Sequence, residues 1–315
     1  MKKLIVLLLA LAMVGAVSAQ VMTAVGLYGE VTLVDQAGNG QFIQWGNGYD
    51  TLTFKAQDKD GKYGFSFTDQ NLLDGNFDTI RDWTVWGKIP VLKGKLSVGK
   101  LRNGTFRLTL PYWAGATVFG GTDRISGQSV LFESDAKNGL VFGVALPYSL
   151  TAGPALDTLK NVDLGVKYDM KDVGTGFVMA NLDLDAAPGS VINAGFKYVG
   201  MKALTATLIG QAGLNNSTYK VGFGAAYTGV EKLAANLEAA LTSTAGVLAW
   251  SVWARGAYDV SDPVTVAVAA NYGSAGYDVN AAVTYDLGAG FSAEVAAGFN
   301  SAFYAAATLY YGVSL

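Results

Sequence analysis

Six tyrosines divide the C-terminal half of the chain into near-equal parts. Tyr168, Tyr198, Tyr227, Tyr258, Tyr285 and Tyr311 are spaced by 30, 29, 31, 27 and 26 residues. A turn sequence follows each of the first five within a few residues: Asp172-Val173-Gly174, Gly200-Met201-Lys202, Gly229-Val230-Glu231, Ser261-Asp262-Pro263 and Leu287-Gly288-Ala289. Between the turns the residues alternate. In the last segment Phe303, Ala305, Ala307, Leu309, Tyr311, Val313 and Leu315 share one parity, and Tyr304, Ala306, Thr308, Tyr310, Gly312 and Ser314 the other. Successive side chains of a strand point to opposite faces, so each unit is a hairpin with one apolar face, one milder face and an aromatic at a fixed height. Segments 263–273, 276–286 and 290–300 repeat the pattern. A soluble sandwich also alternates, with its apolar face buried. It would place aromatics mid-strand, whereas here they cap the apolar rows at both ends and the other face is rich in Gly, Ala, Ser and Thr. Nine residues rising about 3.3 Å each and tilted by about 45° cross the apolar band of a bilayer, and aromatic girdles border that band in membrane barrels. The pattern therefore predicts an all-β, transmembrane antiparallel β-barrel.

The N-terminus leads to the same expectation by a separate route. Lys2 and Lys3 precede an apolar stretch from Leu4 to Val17, followed by Val17-Ser18-Ala19. This is the layout of a cleaved signal peptide over 1–19, with Gln20 beginning a single barrel domain over 20–315. The apolar stretch is short for a span of about 20 residues, and no cysteine follows it to carry a lipid anchor. Without Lys2 and Lys3 the formal charge moves from −3 to −5. A mildly acidic chain without a basic run is not expected to bind nucleic acid. There is no cysteine and no histidine, which removes disulfides, thiolate chemistry and the commonest general base. No catalytic site, metal site or cofactor is expected. With 40 glycines and 6 prolines, the composition suits many tight turns between uninterrupted ladders.

Reading the alternation along the chain gives eighteen strands, near 22–35, 41–57, 62–69, 81–89, 93–102, 128–134, 139–148, 160–170, 175–186, 190–199, 202–213, 218–228, 232–243, 247–258, 263–273, 276–286, 290–300 and 303–315. A count of sixteen follows if two N-terminal segments are not strands. One set of connections is tight, as at 58–62 and 135–139. The other set includes the long ones, about 70–80, 103–127 and 149–159, which is the asymmetry of short periplasmic turns and longer outer loops. The longest holds Arg107, Tyr112, Trp113, Phe119, Gly120, Gly121, Asp123 and Arg124. Four of the five arginines, Arg81, Arg102, Arg107 and Arg124, lie between 81 and 124. A barrel of this size can enclose an aqueous channel, and a long loop folded into it would narrow the opening and select by size and charge. Parity assigns Asp163, Lys167, Asp169, Asp183, Lys197, Lys220, Glu238, Arg255, Asp278 and Glu294 to the interior. A basic residue at mid-depth on the lipid face costs about 2–4 kcal/mol, which is the physical reason for that assignment.

The run Ser97-Val98-Gly99-Lys100, a long loop with Phe119-Gly120-Gly121, then Gln128-Ser129-Val130-Leu131-Phe132-Glu133-Ser134 and Gly139-Leu140-Val141-Phe142-Gly143-Val144 resembles the general porins of Gram-negative bacteria. Gly26-Leu27-Tyr28-Gly29-Glu30 resembles their first strand. The likeness covers about 22–148. It implies a homotrimer of water-filled barrels in the outer membrane, with the third loop folded into the lumen and facing a basic wall. On that likeness the pore constriction comprises Lys100 as a basic wall residue, the Phe119, Gly120 and Gly121 turn, and the charges Arg102, Arg107, Asp123, Arg124, Glu30 and Glu133. Lys167, Asp163, Arg255 and Glu294 line the wall beyond it. The chain departs from the family at Val118, where the loop acid is usual, at Thr51 and Glu133, where some members have arginines, and at Glu30, where some have lysine. Leu315 replaces the terminal aromatic, and eighteen strands exceed the family's sixteen.

The expected function is passive diffusion of small hydrophilic solutes and ions, with outer-membrane lipid as the surrounding partner. A sugar-type substrate-specific channel is the alternative, with Tyr112, Trp113 and Phe119 as an aromatic slide. A structural or adhesive barrel would need long external loops throughout. An outer-membrane enzyme is the remaining class, and the lack of histidine argues against the common phospholipase and protease arrangements.

Overall fold

Eighteen antiparallel strands close on themselves in chain order. The computed structural model describes residues 21–37, 50–70, 80–110, 124–148, 161–184, 189–214 and 217–314. The strands are β1 (Val21–Ala37), β2 (Asp50–Asp58), β3 (Tyr63–Gln70), β4 (Ile80–Ile89), β5 (Gly94–Arg102) and β6 (Ser126–Ser134). They continue as β7 (Leu140–Pro147), β8 (Asn161–Met170), β9 (Gly174–Asp183), β10 (Val191–Met201), β11 (Leu204–Gly213) and β12 (Thr218–Val230). The last six are β13 (Leu233–Thr244), β14 (Val247–Ser261), β15 (Val264–Gly273), β16 (Gly276–Gly288), β17 (Phe291–Phe299) and β18 (Phe303–Ser314). Each pairs with its sequence neighbours, and β1 pairs with β18 from Gly26 opposite Ser314 to Ala37 opposite Tyr304. The count of eighteen holds and the count of sixteen does not. The second strand was expected from 41, and its described part begins at Asp50; positions 41–49 lie outside the described residues, as do 1–20.

The two ends of the barrel differ as the turn sequences imply. At the end carrying both termini, two residues connect β10 to β11, β12 to β13 and β14 to β15. The only described helix is a 3-10 turn at Pro90–Leu92 between β4 and β5, and no described helix is long and apolar enough to cross a membrane. The longer connections leave from the opposite end. That end also has tight turns, including Ala245–Gly246 with φ of 48° and 84°. Both angles are positive, as in the hairpin turn that favours Asn-Gly.

The outer face is apolar from β6 to β18. No charged residue occupies the outward parity of β6 to β18 among the described residues. Val268 and Val295 remain 55% and 62% accessible in the middle of their strands. So continuous an apolar face is far beyond what a water-soluble monomer exposes, and lipid is the medium that suits it. Tyr168, Tyr227, Tyr258 and Tyr285 stand exposed near the tight-turn end. The other edge carries Trp250 and Tyr272, with ring centroids 5.4 Å apart, and Tyr277 and Phe299, 6.2 Å apart. The tyrosine repeat is thus one girdle of two.

Two measurements test this account. Val268→Arg, at mid-depth on the outer face, is expected to lower folding stability in phospholipid vesicles by about 2–4 kcal/mol, read from urea titration of the folded fraction. Ala245→Asn gives the turn its favoured residue for a left-handed backbone and is expected to add roughly 0.5–1 kcal/mol in the same titration.

Candidate functional site

The inner face is not lined evenly. Strand β5 ends at Arg102, and the chain then turns into the lumen. Asn103 N donates to Ile125 O at 2.9 Å, so the two stems of the β5–β6 connection are joined where they leave the wall. Phe106 is buried, and its ring lies flat over Gly143 of β7 and Gly165 of β8. These two glycines face one another in the β7–β8 ladder, and a Cβ on either would fall inside the ring. Leu101, Leu110, Ile125, Leu131, Met179 and Ile209 complete an apolar cluster around it. The expected inward fold of the third loop is therefore seen in residues 103–110 and in Arg124 and Ile125. The Gly, Ala, Ser and Thr face of the C-terminal segments does not extend round the whole interior. Large apolar side chains from β5, β6, β9 and β11 point inward and pack beneath the loop.

A buried carboxylate fastens the loop from the polar side. Glu133 of β6 accepts hydrogen bonds at Oε1 from Thr105 Oγ1 at 2.6 Å and Asn103 Nδ2 at 3.1 Å. Lys95 Nζ of β5, its ladder partner, lies 2.7 Å from Oε2. Thr105 N in turn donates to Asn103 Oδ1 at 2.9 Å. Burying a charge is costly unless a counter-charge and further donors surround it, and Glu133 has both. The loop is thus held by one ring in a glycine niche and one carboxylate. Beside the latch lies a cavity of about 510 Å³ whose lining includes Lys55, Trp86, Ser97 and Arg102. Lys55 Nζ stands 5.8 Å from the Trp86 ring centre.

The residues singled out by sequence fall into four groups. Glu133, Asp163, Lys167, Arg255 and Glu294 occupy the inward parity of their strands. Asp163 accepts from Asn181 Nδ2 at 2.8 Å, Lys167 pairs with Asp169 at 2.9 Å, and Arg255 on β14 is half-buried. Arg102 lines the cavity, while Arg107 and Arg124, both half-buried, bracket the described part of the loop and have polar partners. Phe119, Gly120, Gly121 and Asp123 lie outside the described residues, and so does the Glu30 side chain, whose backbone pairs with Tyr310.

Lys100 is a correction. It shares a face with Val98 and Trp83 and so belongs to the outer parity, where its Nζ donates to Ile80 O at 2.6 Å near the rim. Strand alternation decides this: the wall lysine of β5 is Lys95, which alternates inward with Ser97 and Leu101. Parity alone could have found Lys95. Nothing local in the sequence indicates Phe106, because its niche exists only once the strand register sets Gly143 beside Gly165.

The class these features define is a closed eighteen-stranded antiparallel β-barrel with a loop fastened inside it. No family model matches the chain, and no curated protein matches it. Among solved structures it is similar to OccK3 (OpdO) of Pseudomonas aeruginosa, with a TM-score of 0.60, 12% identity, and 94% of this chain and 95% of that one covered. OccAB4 of Acinetobacter baumannii gives 0.56 at 10% identity, covering 94% and 99%. A refined porin structure gives 0.52 at 12% identity, covering 93% and 100%. At these identities the shared property is the fold.

Phe106→Ala empties the glycine niche and removes one of the two phenylalanine rings of the apolar cluster. In the folded barrel in detergent, cleavage within 103–110 by a broad-specificity protease is expected to accelerate at least tenfold, since losing a buried phenylalanine costs about 3–5 kcal/mol of local stability. Gly165→Leu, which fills the niche from the wall, is expected to have the same effect.

Proposed function

We propose that this chain forms a water-filled channel across the outer membrane for passive diffusion of small hydrophilic solutes and ions. The carrying observation is a closed wall that is apolar outside and charged inside, with a loop fastened within it. An apolar exterior sets the barrel in a bilayer. The inner row of Lys55, Lys95, Lys167 and Glu294 keeps water in the hollow. The fastened loop narrows the passage, with Arg102, Arg107, Arg124 and Glu133 at its stems and the Phe119–Asp123 segment as the remainder of the constriction. Residues 1–19 act as the export signal. Three barrels associate, as the likeness to the general porins implies.

The test is planar-bilayer recording of the refolded protein. Ohmic current steps with weak ion selectivity are expected, and Phe106→Ala is expected to enlarge the unit step because the loop loses its seat. A barrel confirmed as folded by its β-type circular dichroism that passes no current would refute the proposal. Chemical cross-linking in detergent, followed by electrophoresis, reports the trimer.

A further inference from the structure

The cations of this chain stop where the barrel closes. From Gly256 to Leu315, and from Gln20 to Phe54, there is no lysine or arginine, but there are eight Asp and Glu residues. These two stretches lie at opposite ends of the sequence. The β1–β18 seam joins them into one sector of five adjacent strands, β15 to β18 and β1. The first cations on either border are Arg255 of β14 and Lys55 of β2. Within the sector, Asp278 of β16 and Glu294 of β17 face inward and are half-exposed. Their hydrogen-bond donors are all neutral. Asp278 accepts from Tyr304 Oη at 2.8 and 2.9 Å and from Asn280 Nδ2 at 2.9 Å. Glu294 accepts from Thr284 Oγ1 at 3.0 Å and Tyr310 Oη at 3.2 Å. Hydroxyls and amides orient a carboxylate without cancelling its charge.

A second observation places the passage against this sector. In a ring of eighteen strands, β7 and β8 stand nine strands from β16 and β17. Phe106 is seated on Gly143 of β7 and Gly165 of β8, so the apolar bulk occupies the wall diametrically opposite Asp278 and Glu294. The inner positions beside those two acids are Ala282, Ala296, Gly298 and Ala306, together with Tyr304, whose ring lies over Gly298, and Tyr310. The packed loop cluster lies on the opposite wall, which leaves the open cross-section toward the seam.

We propose that permeating cations follow the inner face of β16 to β18, and that Asp278 and Glu294 are the residues that set the channel's ion preference. This rests on the channel reading above. It differs from selection by the third loop in assigning preference to the wall facing the loop, where the field of two carboxylates is offset by no cation on the same sector. At a separation of about 8 Å in water, one unit charge changes the local concentration of a monovalent ion by about twofold.

The experiment is the reversal potential of the full-length refolded protein in a potassium chloride gradient. Wild type is expected to favour potassium over chloride. Asp278→Asn and Glu294→Gln are each expected to lower that ratio by about twofold, with the double variant near unity. Both substitutions retain the size and the acceptor oxygen. The absence of native cysteine allows a second reading that does not depend on those variants folding. With Ala306→Cys on β18, a cationic water-soluble thiol reagent is expected to lower the current. With Ala145→Cys, buried beneath the loop cluster, it is expected to leave the current unchanged. Current steps with an unaltered permeability ratio in the double variant would overturn this inference and leave the channel standing, as would Ala306→Cys insensitive to the reagent. Absence of any current from a folded barrel would overturn both.

Discussion

Every backbone amide and carbonyl within a bilayer must find its partner inside the protein, because hydrocarbon offers none. For a chain built from strands this leaves closure as the solution, and the ladder from Gly26 with Ser314 to Ala37 with Tyr304 provides it. The same constraint propagates around the ring. A slip of one residue in any pair would turn an outward valine row into the lumen and a lumen carboxylate into lipid. Since β6 to β18 carry no charge on the outward parity, each of those registers is fixed by the penalty for the alternative.

That is also why so much of the architecture was legible in advance. Period-two alternation and turn residues need only neighbours along the chain, and strands such as 218–228, 263–273 and 276–286 were placed to within two residues at either end. The inward set from Asp163 to Glu294 followed from the same parity. The failures share a different cause. Lys100 was assigned to the wall through a likeness of motifs, although the alternation of Val98, Lys100 and Ser97 already placed it outside. Phe106 could not be read, since its partners are glycines about forty and sixty positions away that become a single surface only through interstrand register. The apolar cluster under the loop is hidden in the sequence because Leu131, Met179 and Ile209 read as ordinary members of a β-pattern; parity turns them inward, and only the interstrand register brings them together beneath Phe106.

The pairing of rings with glycines extends beyond Phe106. Trp86 lies over Gly64 and Tyr304 over Gly298 on the inner wall. In each case a flat aromatic occupies a position where a side chain is missing, so the wall gains contact without losing bore. This economy of space lets a small barrel carry both packed and open sectors. The packed sector depends on Phe106 and Glu133, one apolar and one ionic anchor, which respond to different perturbations: salt screens the exposed Lys95 partner, while the ring in its niche is indifferent to ionic strength.

The seam has a bearing on biogenesis as well. Its two strands are drawn from the first and last portions of the polypeptide, so a chain arrested at any earlier point has two bare edges and no way to join them. Closure of the wall therefore waits for β18, and until that strand pairs with β1 two edges stay open.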